Sequence, residues 1–301
     1  MKNLISMRDL TREETLRILE LAQEIEGGKT RPDLSGRLAA LLFYEPSTRT
    51  HFSFDTAMKR LGGQTLSMSG SGSTSVQKGE SLADTLKTIS MYSDLIVIRS
   101  PVEGAARYAA EVVDIPIINA GDGANQHPTQ ALLDLYSIRK TQGTLEGLSV
   151  ALVGDLKFGR TAHSLVQALA GFRPTFTFVS PEHLVMPQYI LEDLDAAGVT
   201  YHHQTTLDGV TPGLDVMYVT RIQRERFADP EEYEQVKDSY VIDREILSDA
   251  KPTLRVMHPL PRVKEVSTEV DGTEHAYYFQ QARNGVPIRQ ALLALLLGAA
   301  S

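Results

Sequence analysis

The chain contains no cysteine and no tryptophan. Without cysteine it can form no disulfide framework and no thiolate metal site, and nothing points to an oxidising compartment. Basic residues are outnumbered, 30 lysines and arginines against 38 aspartates and glutamates, for a formal net charge of −8. That balance does not suit nucleic acid or an anionic membrane as a general partner, because binders of phosphate backbones carry a basic face. Long apolar runs are missing too. The longest, Ala291 to Ala300, falls far short of the roughly 20 residues that span a bilayer and reads as a terminal helix packed on the body. Histidines 163, 183, 202, 203 and 275 show no metal-ligand spacing with acidic partners, so no metal centre is expected. The opening MKNLISMRDLTREETLRILE is amphipathic and contains acids; no signal or transit peptide is expected, and the default location is the cytoplasm.

The 301 residues leave room for two domains. Thr11 and Glu14 form a capping box ahead of Leu16, Leu19, Ala22 and Ile25, which recur at helical spacing. Short apolar runs then alternate with helical patterns. Strands are expected at Leu38–Phe43, Gln64–Met68, Leu95–Ile98 and Ile115–Ile118, and helices at Thr48–Leu61, Glu80–Tyr92, Glu103–Val112 and Pro128–Lys140. After TQGTLEG at Thr141–Gly147 the alternation restarts, with strands at Val150–Val153, Phe176–Val179, Val199–His203, Val216–Val219 and Leu254–Met257. Helices are expected near Gly159–Gly171, Pro187–Ala197, Pro230–Lys237 and Val286–Leu297. The pattern predicts an α/β fold of two doubly wound domains, each a mostly parallel sheet flanked by helices. The expected bounds are 1–135 together with the terminal helix 286–301, and 136–285.

In an open parallel sheet, ligands sit outside the carboxyl ends of the strands. The first strand is followed by YEPSTRTHFS (Tyr44–Ser53), which places Ser47, Thr48, Arg49, Thr50 and His51 where a helix begins; free N–H groups and donors aimed at one point suit an anion. The third strand is followed by Arg99, and the fourth by NAGDGANQHPTQ with His127 and Gln130. Arginine, hydroxyl, amide and imidazole donors on one sheet edge fit a small phosphorylated or acyl-phosphate ligand. The Gly- and Ser-rich Ser69–Glu80 reads as a loop, either a lid that carries Lys78 or a solvated linker.

The second half repeats the arrangement. Arg160 lies in GDLKFGRTAHS, Arg221 and Gln223 in TRIQRER, and HPLPR (His258–Arg262) follows the last strand. Two arginines at separate strand ends suit two carboxylates, although the charges beside Arg221 also read as a solvated loop. GDLKFGRT matches a P-loop spacing with Arg160 in place of lysine, but Asp155, Leu156 and Phe158 are poor residues for a phosphate cradle. Prolines 259 and 261 lack N–H groups, so HPLPR offers carbonyl oxygens with few local donors; these suit a ligand amino group, or simply a proline turn that leaves a core strand.

Assembled, these segments resemble the aspartate carbamoyltransferase family, a branch of the aspartate/ornithine carbamoyltransferase superfamily, over almost the whole length. The matching stretches include FYEPSTRT, STSVQKGESLADT, NAGDGANQHPTQALLDL, VALVGDLKFGRTAHSL and VMHPLPRVKE. The resemblance implies transfer of a carbamoyl group from carbamoyl phosphate to L-aspartate, an early step of pyrimidine biosynthesis, with no cofactor. It implies that Ser47, Thr48, Arg49, Thr50, Arg99, His127 and Gln130 hold carbamoyl phosphate, bordered by Pro259, Leu260 and Pro261. Arg160, Arg221 and Gln223 would bind aspartate, while Ser75 and Lys78 would come from a neighbouring subunit of a homotrimer; Lys78 would serve both substrates. Arg49, Thr50, Lys78, Arg99 and His127 would carry the chemistry. In some relatives trimers assemble further with zinc-containing regulatory chains. The ornithine branch has a cysteine in the segment corresponding to HPLPR, and this chain has none, so aspartate is favoured.

Overall fold

The computed structural model describes residues 1–70, 79–222, 231, 233, 234 and 240–300. It divides into two units, one formed by Met1–Leu133 with Asn284–Ser301 and the other by Asp134–Arg283.

The first unit opens with α1 (Arg12–Glu26), whose Thr11 hydroxyl accepts from the Glu14 N–H while the Glu14 carboxylate accepts from the Thr11 N–H. Four strands follow, β1 (Leu38–Phe43), β2 (Gln64–Ser69), β3 (Leu95–Ser100) and β4 (Ile117–Asp122). All pair in parallel, in the order β2-β1-β3-β4. The crossovers carry α2 (Thr48–Arg60), α3 (Leu82–Ser90) and α4 (Ala105–Val112). Leu41, Val97 and Ile118 are fully buried, as expected for central strands covered on both faces. The third helix is shorter than the Glu80–Tyr92 pattern because Ser81 caps it, accepting from the Asp84 N–H at 3.1 Å. Conversely β4 runs four residues past the predicted Ile118. Asn119, Ala120 and Asp122, which look like loop composition, are wholly buried strand.

α5 (Pro128–Gln142) leads into the second unit. There β5 (Ser149–Val153), β6 (Thr175–Val179), β7 (Thr200–Gln204), β8 (Val216–Val219) and β9 (Arg255–Met257) form a second parallel sheet in the order β7-β6-β5-β8-β9. α6 (Arg160–Ala170) and α7 (Gln188–Ala196) are its crossovers. Of the predicted helix at 230–237, residues 231, 233 and 234 are described and helical, and the others lie outside the described residues. The terminal helix α8 runs from Tyr278 to Leu296 and so begins eight residues before the predicted Val286. Pro287 lies inside it, although an internal proline removes one helical hydrogen bond. Burial of Tyr278 and Gln281, with the Gln281 amide bonded to Asp134 and to the N–H of His258, favours the longer helix over that local preference. Beyond Pro287, Ile288, Ala291, Leu292 and Leu293 are fully buried, and Arg289 donates to Ser53 Oγ at 2.8 Å within the first unit.

Candidate active site

Crevices at the carboxyl edge of a parallel sheet form where the strand order reverses. In the first unit that point lies between β1 and β3, because β2 is added on one side of β1 and β3 on the other. Register places Phe43 beside Arg99, so the chain leaves β1 for the Tyr44–Ser53 segment next to an arginine. Ser47 is the N-cap of α2 with extended backbone, and its hydroxyl makes no capping bond. The first-turn amides of α2 therefore keep their outward N–H groups together with a hydroxyl that capping does not occupy, the arrangement that favours an anion. Thr48 and Arg49 are exposed there, while Thr50 is buried. Desolvation lowers the Arg49 guanidinium from its ordinary value, yet an arginine remains cationic. His51 does not join these donors. Its ring packs edge-on against Phe43 at 5.0 Å and Phe52 at 5.7 Å.

Arg99 lies inside β3 rather than after it, and two fixed groups aim it: Ala120 O accepts from its guanidinium at 3.2 Å, and Glu45 stands 3.4 Å from its Nε. His127 immediately precedes α5 and is 5% exposed, with Gln130 in the first turn at 8%. The loop that delivers them is held by Asp122. Its carboxylate accepts from the Asn119 amide, the Gly104 N–H, the Asn125 amide and the Gln126 N–H, all between 2.9 and 3.0 Å. Sequence reasoning passed over Asp122 and Glu45; the Asp-Gly pair in NAGDGAN was the available signal, since aspartate side chains commonly bond the backbone of the turn they open.

In the second unit the order reverses between β5 and β8. Gly154 sits at that crossing with φ +116°, and a Cβ there would stand 2.2 Å from the Thr220 carbonyl oxygen. The Thr220 hydroxyl donates to Val153 O at 3.1 Å, which ties the ends of β5 and β8 together. Arg160 opens α6 after one of these strands and Arg221 follows the other, both half-buried. The P-loop reading fails on geometry. The amides of Gly154, Leu156, Phe158 and Arg160 are bonded to Val179 O, Leu184 O, the Asp155 carboxylate and Phe158 O, so they cannot cradle a phosphate.

After β9, Pro259 and Leu260 are half-buried and Pro261 is exposed. Leu260 adopts φ 54°, a conformation that costs a branched residue about 1–2 kcal/mol, and the Leu260–Pro261 peptide is cis. Among the described residues, none donates to the carbonyls of Pro259, Leu260 or Pro261. Ser75, Lys78 and Gln223 lie outside the described residues. A separate cleft of about 1040 Å³ opens beyond β6 and β7, lined in part by Phe158, Ser180, Met186 and Gln204, and no candidate site residue is among its described lining.

Residues 2–140 match the model of the aspartate/ornithine carbamoyltransferase carbamoyl-phosphate binding domain, and residues 146–296 match that of the Asp/Orn binding domain. The chain belongs to the aspartate/ornithine carbamoyltransferase family. Among family members, the aspartate carbamoyltransferase catalytic subunit of Thermococcus kodakarensis is 56% identical over 99% of this chain and 97% of that protein. The corresponding subunit of Chromobacterium violaceum is 52% identical over 98% of each chain. The crystallised catalytic subunit of M. jannaschii aspartate transcarbamoylase superposes with a TM-score of 0.92 at 52% identity, covering 99% of this chain and 98% of that one. The Trypanosoma cruzi aspartate transcarbamoylase, crystallised with carbamoyl phosphate and aspartate, gives 0.91 at 41% identity over 97% and 95%. Among the described residues, no helix of this family member is long and apolar enough to cross a membrane.

Proposed function

We propose that this chain is an enzyme that transfers the carbamoyl group of carbamoyl phosphate to the amine of L-aspartate, giving N-carbamoyl-L-aspartate and phosphate. The observation that carries this reading is full-length identity above 50% to aspartate carbamoyltransferase catalytic subunits, joined to a donor set that matches both substrates in kind.

Ser47, Thr48, the α2 N-terminus and Arg49 take the phosphate dianion. Thr50, Arg99 and His127 surround the carbamoyl oxygen, Gln130 with the carbonyls of Pro259 and Leu260 serves the amino group, and Pro261 borders it. Arg160, Arg221 and Gln223 hold the two carboxylates of aspartate. The neutral amine then attacks the carbamoyl carbon. Negative charge moves onto the carbonyl oxygen, where the three donors meet it, and the C–O bond to phosphate breaks as the amine loses its proton to a phosphate oxygen. No nucleophilic side chain forms a covalent intermediate in this sequence of steps. Ser75 and Lys78 reach the site of a neighbouring copy in a homotrimer, and Lys78 helps to neutralise the departing phosphate. The product enters pyrimidine synthesis in the cytoplasm, and a separate regulatory chain is a partner, consistent with the name "catalytic subunit" carried by the relatives.

The test is phosphate release from carbamoyl phosphate with L-aspartate or L-ornithine as acceptor. Aspartate-dependent release that collapses in Arg49→Ala supports the reading, and turnover of ornithine overturns it. Sedimentation of the purified chain as a trimer supports the shared site; a fully active monomer rules it out.

A further inference from the structure

The HPLPR turn is shaped by a histidine whose hydrogen bonds leave it a single tautomer. His258 follows β9 and is 2% exposed. Its Nδ1 lies 2.8 Å from the backbone nitrogen of Leu260, and its Nε2 lies 2.8 Å from Glu265 Oε1. The Leu260 N–H can only donate, so Nδ1 must be the unprotonated acceptor, and the one ring proton sits on Nε2 and points at the carboxylate. Glu265 is fixed in turn, since its Oε2 accepts from the N–H groups of Val263 at 3.1 Å and Lys264 at 3.0 Å. Behind the ring, the His258 N–H donates to Gln281 Oε1 at 2.8 Å, the Gln281 amide donates to Asp134 at 2.7 Å, and the Tyr218 hydroxyl donates to the other Asp134 oxygen at 2.9 Å.

We infer that His258, held by Glu265, is a positioning residue: by grasping the Leu260 N–H it holds Leu260 at positive φ and so fixes the direction in which Pro259 and Leu260 present their carbonyl oxygens. The inference rests on the proposed role of those carbonyls as acceptors for the carbamoyl amino group. Two observations on this turn give it substance. The carbonyls have no donor among the described residues, and Leu260 adopts a backbone conformation that a non-glycine residue rarely holds without support. Discrimination between an amino group and an isosteric methyl group then depends on a buried side chain one and two residues away from the acceptors.

Acetyl phosphate, with a methyl where carbamoyl phosphate has its amino group, is the probe. The measurements are the KM for carbamoyl phosphate at saturating aspartate, the inhibition constant of acetyl phosphate against it, and thermal midpoints for each variant. His258→Ala is expected to raise the carbamoyl phosphate KM roughly tenfold, the loss of about one hydrogen bond, while acetyl phosphate binding stays within about twofold. His258→Asn is expected to restore most of the difference, because an asparagine oxygen accepts from the N–H two residues on in an Asx turn. Should His258→Ala weaken both ligands in parallel, leave their ratio unchanged, or match His258→Asn, the positioning role is overturned whatever the thermal midpoints. If the unaltered enzyme does not distinguish the two phosphates, the acceptor role of the carbonyls falls, and this inference with it. That result is distinguishable because it needs no variant.

Discussion

At the β1–β3 reversal, Arg49 and Arg99 stand with buried donors, Thr50, His127 and Gln130, and the loop that supplies two of these is locked by four hydrogen bonds to Asp122. At the β5–β8 reversal, Arg160 and Arg221 stand beside a glycine and a threonine that tie two strands together. Both crevices arise from the same topology and both carry a pair of cations. A carboxylate that is only bound needs a charge at roughly the right place. A carbonyl that becomes an oxyanion needs fixed donors already aimed at it, and fixing them takes buried structure. Under the proposed function, the second sheet's arginines would bind and the first sheet's donors would carry the chemistry, on one shared architecture.

Substitutions that exchange these properties test the distinction. The largest expected effect is on turnover. Thr50→Val removes an aimed donor at nearly constant volume and should lower kcat on the order of a hundredfold, about 3 kcal/mol, with aspartate KM little changed. Arg160→Gln should do the reverse, raising aspartate KM by a large factor while equilibrium binding of carbamoyl phosphate persists; steady-state kinetics on both variants would separate the two crevices or merge them. Gly154→Ala should destabilise the second unit by about 3 kcal/mol, through a positive φ and a Cβ in contact with the Thr220 carbonyl, which a urea titration would register. Asp122→Ala should cost about 2 kcal/mol by stranding buried donors and should lower kcat as His127 loosens, whereas the isosteric Asp122→Asn should fall between it and the unaltered chain. The smallest effect concerns pH. Burial raises the Glu265 carboxyl, but hydrogen bonds from His258 and neighbouring backbone N–H groups outweigh it and leave the group below its ordinary 4.5. A depressed carboxyl stabilises the fold above pH 4.5, and that contribution is lost as pH falls through the folded value. Unfolding midpoints of Glu265→Gln should therefore change less than those of the unaltered chain across that acid range.

Most of the architecture was legible because parallel strands buried on both faces read as apolar runs and the crossovers between them as amphipathic ones. Leu38–Phe43 and Val216–Val219 match residue for residue, and every other strand edge except the end of β4 lies within two positions of its expected place. The larger misses share a cause. Asn119–Asp122 looked like loop because the residues are polar and glycine-rich, yet they are buried strand whose side chains bond one another and the backbone. Tyr278–Gly285 lay before the helix expected from Val286, yet it is helical and Gln281 is anchored from two directions. In both cases tertiary hydrogen bonds overrode local preference, and a single sequence does not display its long-range partners. The arginines and hydroxyls at strand ends were easy to pick out, since their chemistry stands out against apolar runs. Asp122 and Glu265 were not, because they act on the backbone of the site and their type is common on any surface.

The membership of the later part of α8, from Asn284 onward, in the first unit has a consequence for how the chain is made. Residues 1–133 leave the ribosome before the second unit, but the segment that completes their core, Asn284–Ser301, leaves after it. The second unit, contiguous from Asp134 to Arg283, can close on its own sheet while the first still lacks Ile288, Ala291, Leu292 and Leu293. Of the two units, the one begun earlier is the one completed later, so the anion crevice after β1 takes its final form only once the whole second unit has been made.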